Sequence, residues 1–102
     1  MTPQSKKNTI KKQLTIQNKL GLHARPAALF VQTANRYKSS IEVEKEGEKV
    51  NGKSIMGIMT LAAGIGTTIT IKVTGADAQE AMKEIEELFE SNFGENEEEK
   101  NG

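Results

Sequence analysis

One short segment, GLHARPAALF at residues 21–30, holds the only histidine of the chain. A change in the apolar spacing predicts that a helix begins around His23, with Arg25 and Pro26 in its first turn. The free N–H groups and the dipole of a helix N-terminus favour an anion, and the guanidinium of Arg25 adds a full positive charge. The segment therefore predicts an anion site with an imidazole at its edge.

The same surroundings indicate what the imidazole does. A positive site disfavours the imidazolium ion, so we expect His23 to be neutral and nucleophilic at neutral pH. A neutral ring nitrogen can attack phosphorus, and phosphoryl transfer depends more on positioning and charge stabilisation than on further acid–base groups. By position alone, however, a histidine near the start of a helix is more often an ordinary polar surface residue than a functional one.

The composition restricts the class of protein. The 102 residues fit one domain, and 14 basic residues balance 14 acidic ones, which argues against nucleic acid as a partner. The chain has no cysteine and only one histidine, so we expect no disulfide and no metal site, and we also expect no cofactor. It lacks both the roughly 20-residue apolar run of a membrane span and the apolar part of a signal peptide, so we expect a cytoplasmic protein without membrane insertion.

The spacing of apolar residues predicts the elements that must position His23. They are a strand over 10–18, a helix of about four turns from Ala24 to Tyr37, a hairpin over 39–51 that turns at Glu46-Gly47, a short helix within 53–64, a strand over 67–75, and a final helix that starts with an Asp77–Glu80 capping box and ends near 92–94. Each has a single apolar face, which predicts one layer of mainly antiparallel strands and one of helices. Residues 1–9 are expected to form a flexible basic arm, 10–94 the domain, and 95–102 an acidic disordered tail.

The short helix carries a second candidate site. Ser54 is placed to cap it, a contribution of about 1 kcal/mol, and a plain cap is the ordinary interpretation. Gly57 in its middle should weaken it. Four apolar residues cannot all face inward on so short a helix, so we expect some of them to form an exposed partner surface: Ile55, Met56, Ile58 and Met59. That all four belong to the core remains the alternative.

Two segments resemble the HPr family, the histidine-containing phosphocarrier proteins of the phosphoenolpyruvate-dependent sugar phosphotransferase system. GLHARPAALFVQTA, at 21–34, is similar to the active-site segment of that family, and VNGKSIMGIMTLA, at 50–62, is similar to the segment around its regulatory serine. The resemblance runs from about residue 12 to 91. It implies an α+β fold, an open-faced two-layer sandwich of βαββαβα order with a four-stranded antiparallel sheet and the helices on one face.

The resemblance also implies a function and the residues that perform it. Phosphorylated enzyme I would transfer a phosphoryl group to Nδ1 of His23, Arg25 and the backbone of Ala24 and Arg25 would hold the phosphate, and the group would pass to enzyme IIA of a sugar transporter. HPr kinase/phosphorylase would phosphorylate Ser54, and that form would bind a LacI-type catabolite regulator. The protein would be a covalent carrier rather than an enzyme. Its partner surface would consist of Ala28, Ile55, Met56 and Met59.

Other functions remain open at this stage. A mainly regulatory protein of carbon catabolite or nitrogen-type signalling would act through phosphorylation of Ser54 or His23, although retention of His23 argues against paralogues that lack the histidine. A module that binds anions or nucleic acid without covalent chemistry would use only the positive helix start. A hydrolase is the weakest alternative, because no second catalytic base accompanies His23. We expect a monomer with modest, transient interfaces.

Overall fold

The computed structural model describes residues 8–94, and these form a single sheet with three α-helices. The elements in chain order are β1 (Asn8–Thr15), α1 (Ala24–Asn35), β2 (Ser40–Lys45), β3 (Glu48–Asn51), α2 (Ile55–Thr60), β4 (Thr68–Gly75), α3 (Ala78–Glu90) and a final 3-10 turn (Asn92–Gly94). The predicted α+β class and element order are confirmed. Residues 8 and 9, assigned above to the arm, belong to β1, and the predicted arm over 1–7 and tail over 95–102 lie outside the described residues.

The sheet is antiparallel throughout and has the strand order β1-β4-β2-β3. Its two inner strands are β4 and β2, and in β4 Ile69, Ile71 and Val73 alternate with polar residues and are fully buried. Alternate side chains of a strand point to opposite faces, so the helices cover the apolar face and the threonine-rich face stays open. The turn between β2 and β3 is at Glu46-Gly47, as predicted, and both residues have positive φ.

Helices α1 and α3 meet through three aromatic rings. Phe30 of α1 packs edge-on against Phe89 of α3 with ring centroids 6.4 Å apart, and Phe93 lies 4.9 Å from Phe89. All three side chains are buried. Burial of one such ring contributes about 2 kcal/mol, so this cluster anchors α1, whose N-cap is His23, to the rest of the domain.

Besides the end of β1, which lies at Thr15 and not at residue 18, two details of the sequence interpretation were wrong. Helix α1 ends at Asn35, so Tyr37 lies beyond it, where its hydroxyl donates a hydrogen bond to the Glu84 carboxylate of α3.

No helix of residues 8–94 is long and apolar enough to cross a membrane.

The second wrong detail is the capping box of α3. Asp77 does stand at the N-cap position, but its side chain makes no capping hydrogen bond. The carboxylate instead accepts hydrogen bonds from the amides of Lys38 and Ser39 and from the Ser39 hydroxyl. These bonds, the Ser39 hydroxyl first and the Lys38 amide next, hold the pKa of Asp77 below its ordinary value. A tertiary contact to the start of β2 has replaced the local cap.

Candidate functional site: the start of helix α1

The loop between β1 and α1 places His23 by means of a tight turn. The amide of Gly21 donates to the carbonyl of Asn18 at 3.1 Å. The carbonyl of Gly21 accepts two hydrogen bonds, from Asn18 Nδ2 at 2.8 Å and from the His23 amide at 2.9 Å. Asn18 is buried, and the hydrogen bond from its side-chain amide stabilises the turn from within. Asn18 was not among the predicted site residues, and the signal that could have identified it is an asparagine three residues before a glycine.

Gly21 allows the loop to lie directly on the connection between α2 and β4. Its φ is +72°, in the left-handed region, and a Cβ atom there would stand 2.5 Å from the Ala63 carbonyl oxygen and 2.7 Å from Gly64 Cα. The next residue, Leu22, donates its amide to the same Ala63 oxygen at 2.9 Å. Glycine is therefore required both by the backbone conformation and by the close approach of two backbones.

His23 is the N-cap residue of α1, as predicted. Its backbone is extended, with φ −87° and ψ −165°, and its carbonyl accepts the first helical hydrogen bond from Ala27 at 2.9 Å. The imidazole is not used to cap the helix. It is partly exposed and lines a depression of about 270 Å³ together with residues of α2 and of the two connections: Leu20, Leu22, Met59, Ala62, Ala63 and Gly64.

The first turn of α1 next to the imidazole is positively charged. Ala24 and Arg25 are exposed, and helix geometry gives their amides no intrahelical acceptor. Pro26 fills the third position, where it has no N–H to lose. The first turn contains no acidic residue, so the helix dipole and the Arg25 guanidinium act on an incoming anion without an opposing charge. Ala28, predicted as partner surface, is half-buried one turn further along α1.

Ser54 caps helix α2, which confirms the capping prediction. Its backbone is extended, and its Oγ accepts a hydrogen bond from the Gly57 amide at 2.9 Å. The helix is six residues long. Gly57 lowers its stability, but glycine also avoids a close contact there, because a Cβ would stand 3.3 Å from Val50 Cβ and from Ser54 Oγ. Ser54 itself is partly exposed.

Exposed apolar side chains lie on α2 and on the loops that follow β1 and α2. Of the four apolar residues of α2, only Ile58 is buried, and the exposure of the other three refutes the alternative that all of them are core. We call the exposed set the apolar rim, and its members with their exposed fractions are Ile55 (42%), Met56 (71%) and Met59 (39%) on α2 and Leu20 (70%) and Ile65 (58%) on the adjoining loops. Leu20 and Ile65 were missed because an isolated apolar residue in a loop has no periodic pattern. An exposed group of this kind is typical of a surface that binds other proteins.

Ser54 and His23 lie beside opposite ends of α2. Met59, which lines the depression with His23, comes five residues after Ser54. At 1.5 Å per residue, five residues of helix correspond to about 7.5 Å along the axis. The structure thus connects the two predicted sites through one short helix and its exposed side chains.

Comparisons with known proteins agree with this arrangement. The family model for the HPr component phosphorylation site of the PTS matches residues 10–91. The HPr-like protein Crh of Halalkalibacterium halodurans is 58% identical over 76 residues, which cover 74% of this chain and 90% of that protein. The phosphocarrier protein HPr of Neisseria meningitidis serogroup A is 50% identical over 88 residues, which cover 86% of this chain and 99% of that protein.

A solved structure extends the likeness to three dimensions. The crystal structure of HPr-C-His from Thermoanaerobacter tengcongensis superimposes with a TM-score of 0.83 at 52% sequence identity, over 85% of this chain and 98% of that one. The range matched by the family model runs from within β1 to the end of α3 and contains both His23 and Ser54. The chain belongs to the HPr phosphocarrier family, which includes HPr-like proteins named Crh.

Proposed function

We propose that this protein is a phosphocarrier that accepts a phosphoryl group from phosphorylated enzyme I on Nδ1 of His23 and passes it to enzyme IIA of a sugar transporter. The observation that carries the proposal is the position of His23, at the N-cap of α1 beside Arg25 and in a turn free of acidic residues. These partners imply a cytoplasmic location. The protein would be a covalent carrier and not a turnover enzyme.

The transfer step follows from this placement. The Nδ1 lone pair of neutral His23 attacks phosphorus and forms a P–N bond, while the bond between phosphorus and the donor breaks and its electron pair returns to the donor group. The attack requires the tautomer whose proton is on Nε2, and that proton stays in place. The amides of Ala24 and Arg25 and the Arg25 guanidinium stabilise the negative charge of the phosphoryl group. Transfer to enzyme IIA runs the same step in reverse.

The apolar rim supplies the docking surface for these partners. Met59 and Leu20 line the depression that contains His23, so a partner that buries them is brought against the imidazole. Ile55, Met56 and Ala28 extend the contact over α2 and α1. Methionine side chains adapt to differently shaped partners, which suits a carrier that meets both a donor and an acceptor. The interfaces are modest and transient, and the protein is a monomer between encounters.

Ser54 is the regulatory site in this proposal. HPr kinase/phosphorylase would phosphorylate its Oγ, and the product would carry up to two negative charges next to the exposed Ile55 and Met56. Those charges would have to be desolvated when the apolar rim is covered, which opposes docking of enzyme I. The same phosphate would create a surface for a LacI-type catabolite regulator.

A second function is favoured by one observation. The similarity to the HPr-like protein Crh, at 58% identity, is higher than that to the Neisseria phosphocarrier. A mainly regulatory protein would depend on phosphorylation of Ser54 or His23 for carbon catabolite or nitrogen-type signalling and would not need rapid transfer to a transporter. Transfer from phosphorylated His23 to enzyme IIA separates the two functions, because only the carrier requires it.

The test is an intact-mass measurement after incubation with phosphoenolpyruvate and cognate enzyme I, for wild type and for His23→Ala. The proposal expects one acid-labile phosphoryl group on wild type and none on the variant, with loss of the group when enzyme IIA is added. A wild type that gains no mass with active cognate enzyme I would refute the carrier function. A stable gain that enzyme IIA does not remove would support the regulatory alternative.

A further inference from the structure

We propose that Lys45 is a positioning residue for the loop that carries His23, and that it acts through the end of helix α2. Lys45 is the last residue of β2 and is partly buried. Its Nζ donates hydrogen bonds to the Leu61 carbonyl at 2.8 Å and to the Ala62 carbonyl at 3.3 Å. No motif in the sequence identifies Lys45, which stands in a charged hairpin.

The two carbonyls are those that a helix end leaves without intrahelical donors. Leu61 is the C-cap of α2 and Ala62 the residue after it. Ala62 has φ +51°, in the left-handed region, although it is not glycine. A left-handed alanine is strained and persists only where its surroundings fix it. The ammonium group of Lys45 fixes it, and its positive charge also suits the negative end of the helix dipole.

The residues after Ala62 hold the His23 loop. Ala63 accepts the Leu22 amide at 2.9 Å, one residue before His23. Further along, the Gly66 amide donates to the Ile16 carbonyl at 2.8 Å, and the Ile16 amide donates to the Thr67 carbonyl at 2.9 Å. Both ends of the loop over 16–22 are therefore attached to the connection between α2 and β4. Lys45 secures the first residues of that connection.

The chain from Lys45 to His23 is short. It consists of one hydrogen bond from Nζ to Ala62, the peptide link to Ala63, and one hydrogen bond from Leu22. Lys45 does not line the depression, so it does not touch the imidazole or an incoming phosphoryl group. Lys45 fixes the positions of Ala62 and Ala63, which line the depression. Through the contacts of Ala63 with Gly21 and Leu22, it also fixes the position of His23 relative to them.

A matched control exists in the same domain. Lys53 Nζ donates to the Tyr37 carbonyl at 2.7 Å, just beyond the C-terminus of α1. It is partly buried like Lys45 and makes the same kind of contact near a helix end. Tyr37 lies past the opposite end of α1 from His23. Loss of the Lys53 contact should therefore affect stability without displacing the His23 loop.

The experiment compares Lys45→Met, Lys45→Arg and Lys53→Met in the full chain. Hydrogen exchange of the Leu22 amide, relative to an Ile71 amide in β4, reports local release of the loop and corrects for global destabilisation. We expect exchange at Leu22 to rise about tenfold in Lys45→Met, because a hydrogen bond from a charged donor is lost, and to stay within about twofold in Lys53→Met. Lys45→Arg, which keeps the donors, should restore most of the protection.

The second measurement is the rate of chemical phosphorylation of His23 by phosphoramidate, which needs no partner protein. The third measurement is the rate of phosphorylation by enzyme I, and it is the only one of the three that rests on the proposed function. In Lys45→Met we expect the maximal rate of transfer from enzyme I to fall about tenfold while the KM for the carrier changes by less than about twofold, since the loss is one of positioning. Both rates should be unchanged in Lys53→Met.

The outcomes are distinguishable. Equal Leu22 exchange in Lys45→Met and Lys53→Met would overturn the inference, whatever the rates are. Faster Leu22 exchange in Lys45→Met together with unchanged phosphorylation would also overturn it, because the loop would move without consequence for His23. If enzyme I fails to phosphorylate even the wild type, the proposed carrier function falls, while exchange and phosphoramidate reactivity still decide the role of Lys45.

Discussion

Replacement of Gly21 by alanine tests whether the close contact of two backbones positions His23. In the left-handed region alanine is less favourable than glycine by about 1 kcal/mol, after its gain in the unfolded chain is taken into account. The new Cβ would also stand 2.5 Å from the Ala63 oxygen and 2.7 Å from Gly64 Cα. Both neighbours are backbone atoms, so overpacking should add about 1–3 kcal/mol. We expect Gly21→Ala to lower the free energy of unfolding by about 2–4 kcal/mol.

Gly47→Ala is the control for the backbone term alone. Gly47 has φ +87° in the β2–β3 turn, and a Cβ there would meet no atom within 4 Å. We expect a loss of only about 1 kcal/mol in the free energy of unfolding. Urea unfolding followed by circular dichroism measures both variants, and an unchanged m-value would show that both still unfold from the same kind of native state.

The same pair separates stability from function. Phosphorylation by enzyme I, measured without urea at a temperature where both variants are folded, should be slowed by Gly21→Ala and unaffected by Gly47→Ala. Equal destabilisation of the two variants would refute the reasoning from close approach. A destabilised Gly21→Ala protein that is phosphorylated at the wild-type rate would show that the Leu22–Ala63 contact does not determine the position of His23.

Three further predictions concern other parts of the domain. Ser54→Asp keeps an oxygen acceptor for the Gly57 amide and should fold with wild-type stability, but stopped-flow transfer from enzyme I should be about tenfold slower or more, because a charge must be desolvated at the interface. The lowered pKa of Asp77 means that its contribution to stability is present above its ordinary value of 3.8 and is lost as pH falls through the lower folded value, so Asp77→Asn should flatten the acid dependence of the urea midpoint between about pH 5 and pH 2. Ala62→Gly should raise the free energy of unfolding by about 0.5 kcal/mol, because relief of left-handed strain exceeds the entropy that glycine adds to the unfolded chain, and thermal melting measures this.

Much of the fold could be predicted because its elements carry local patterns. Strand β4 alternates Ile69, Ile71 and Val73 with polar residues, and that period has no competing interpretation. The Glu46-Gly47 turn and the cap at Ser54 also depend on neighbours in the chain. The capping box at Asp77 failed for the opposite reason. Its carboxylate accepts hydrogen bonds from the amides of residues 38 and 39 and none from its own helix. Those residues are far away in the sequence, so no local pattern could indicate them.

The residues of the candidate site also fall into those that local sequence defines and those that tertiary contacts define. His23 and Arg25 could be identified because their chemistry depends on their places in one helical turn, and a turn is a local structure. Asn18, the contact of Gly21 with Ala63, and Lys45 could not, because each acts on a partner that only the folded chain brings near. Sequence patterns therefore indicated the groups that we propose to contact a phosphoryl group, and they did not indicate the residues that position the loop around them.

The geometry of α2 also limits how Ser54 can control His23. Because Ser54 and Met59 are separated by about 7.5 Å of helix, a phosphate on Ser54 acts on the depression across roughly one Debye length at physiological salt, where water and salt together reduce its interaction with a unit charge to less than about 1 kcal/mol in the free protein. Its direct effect on the imidazole should therefore be weak. Ile55 and Met56 are beside the phosphate, however, and a partner that covers them must desolvate it, where screening by salt no longer helps. Control by Ser54 would thus be exerted on docking, with the chemistry of His23 left intact.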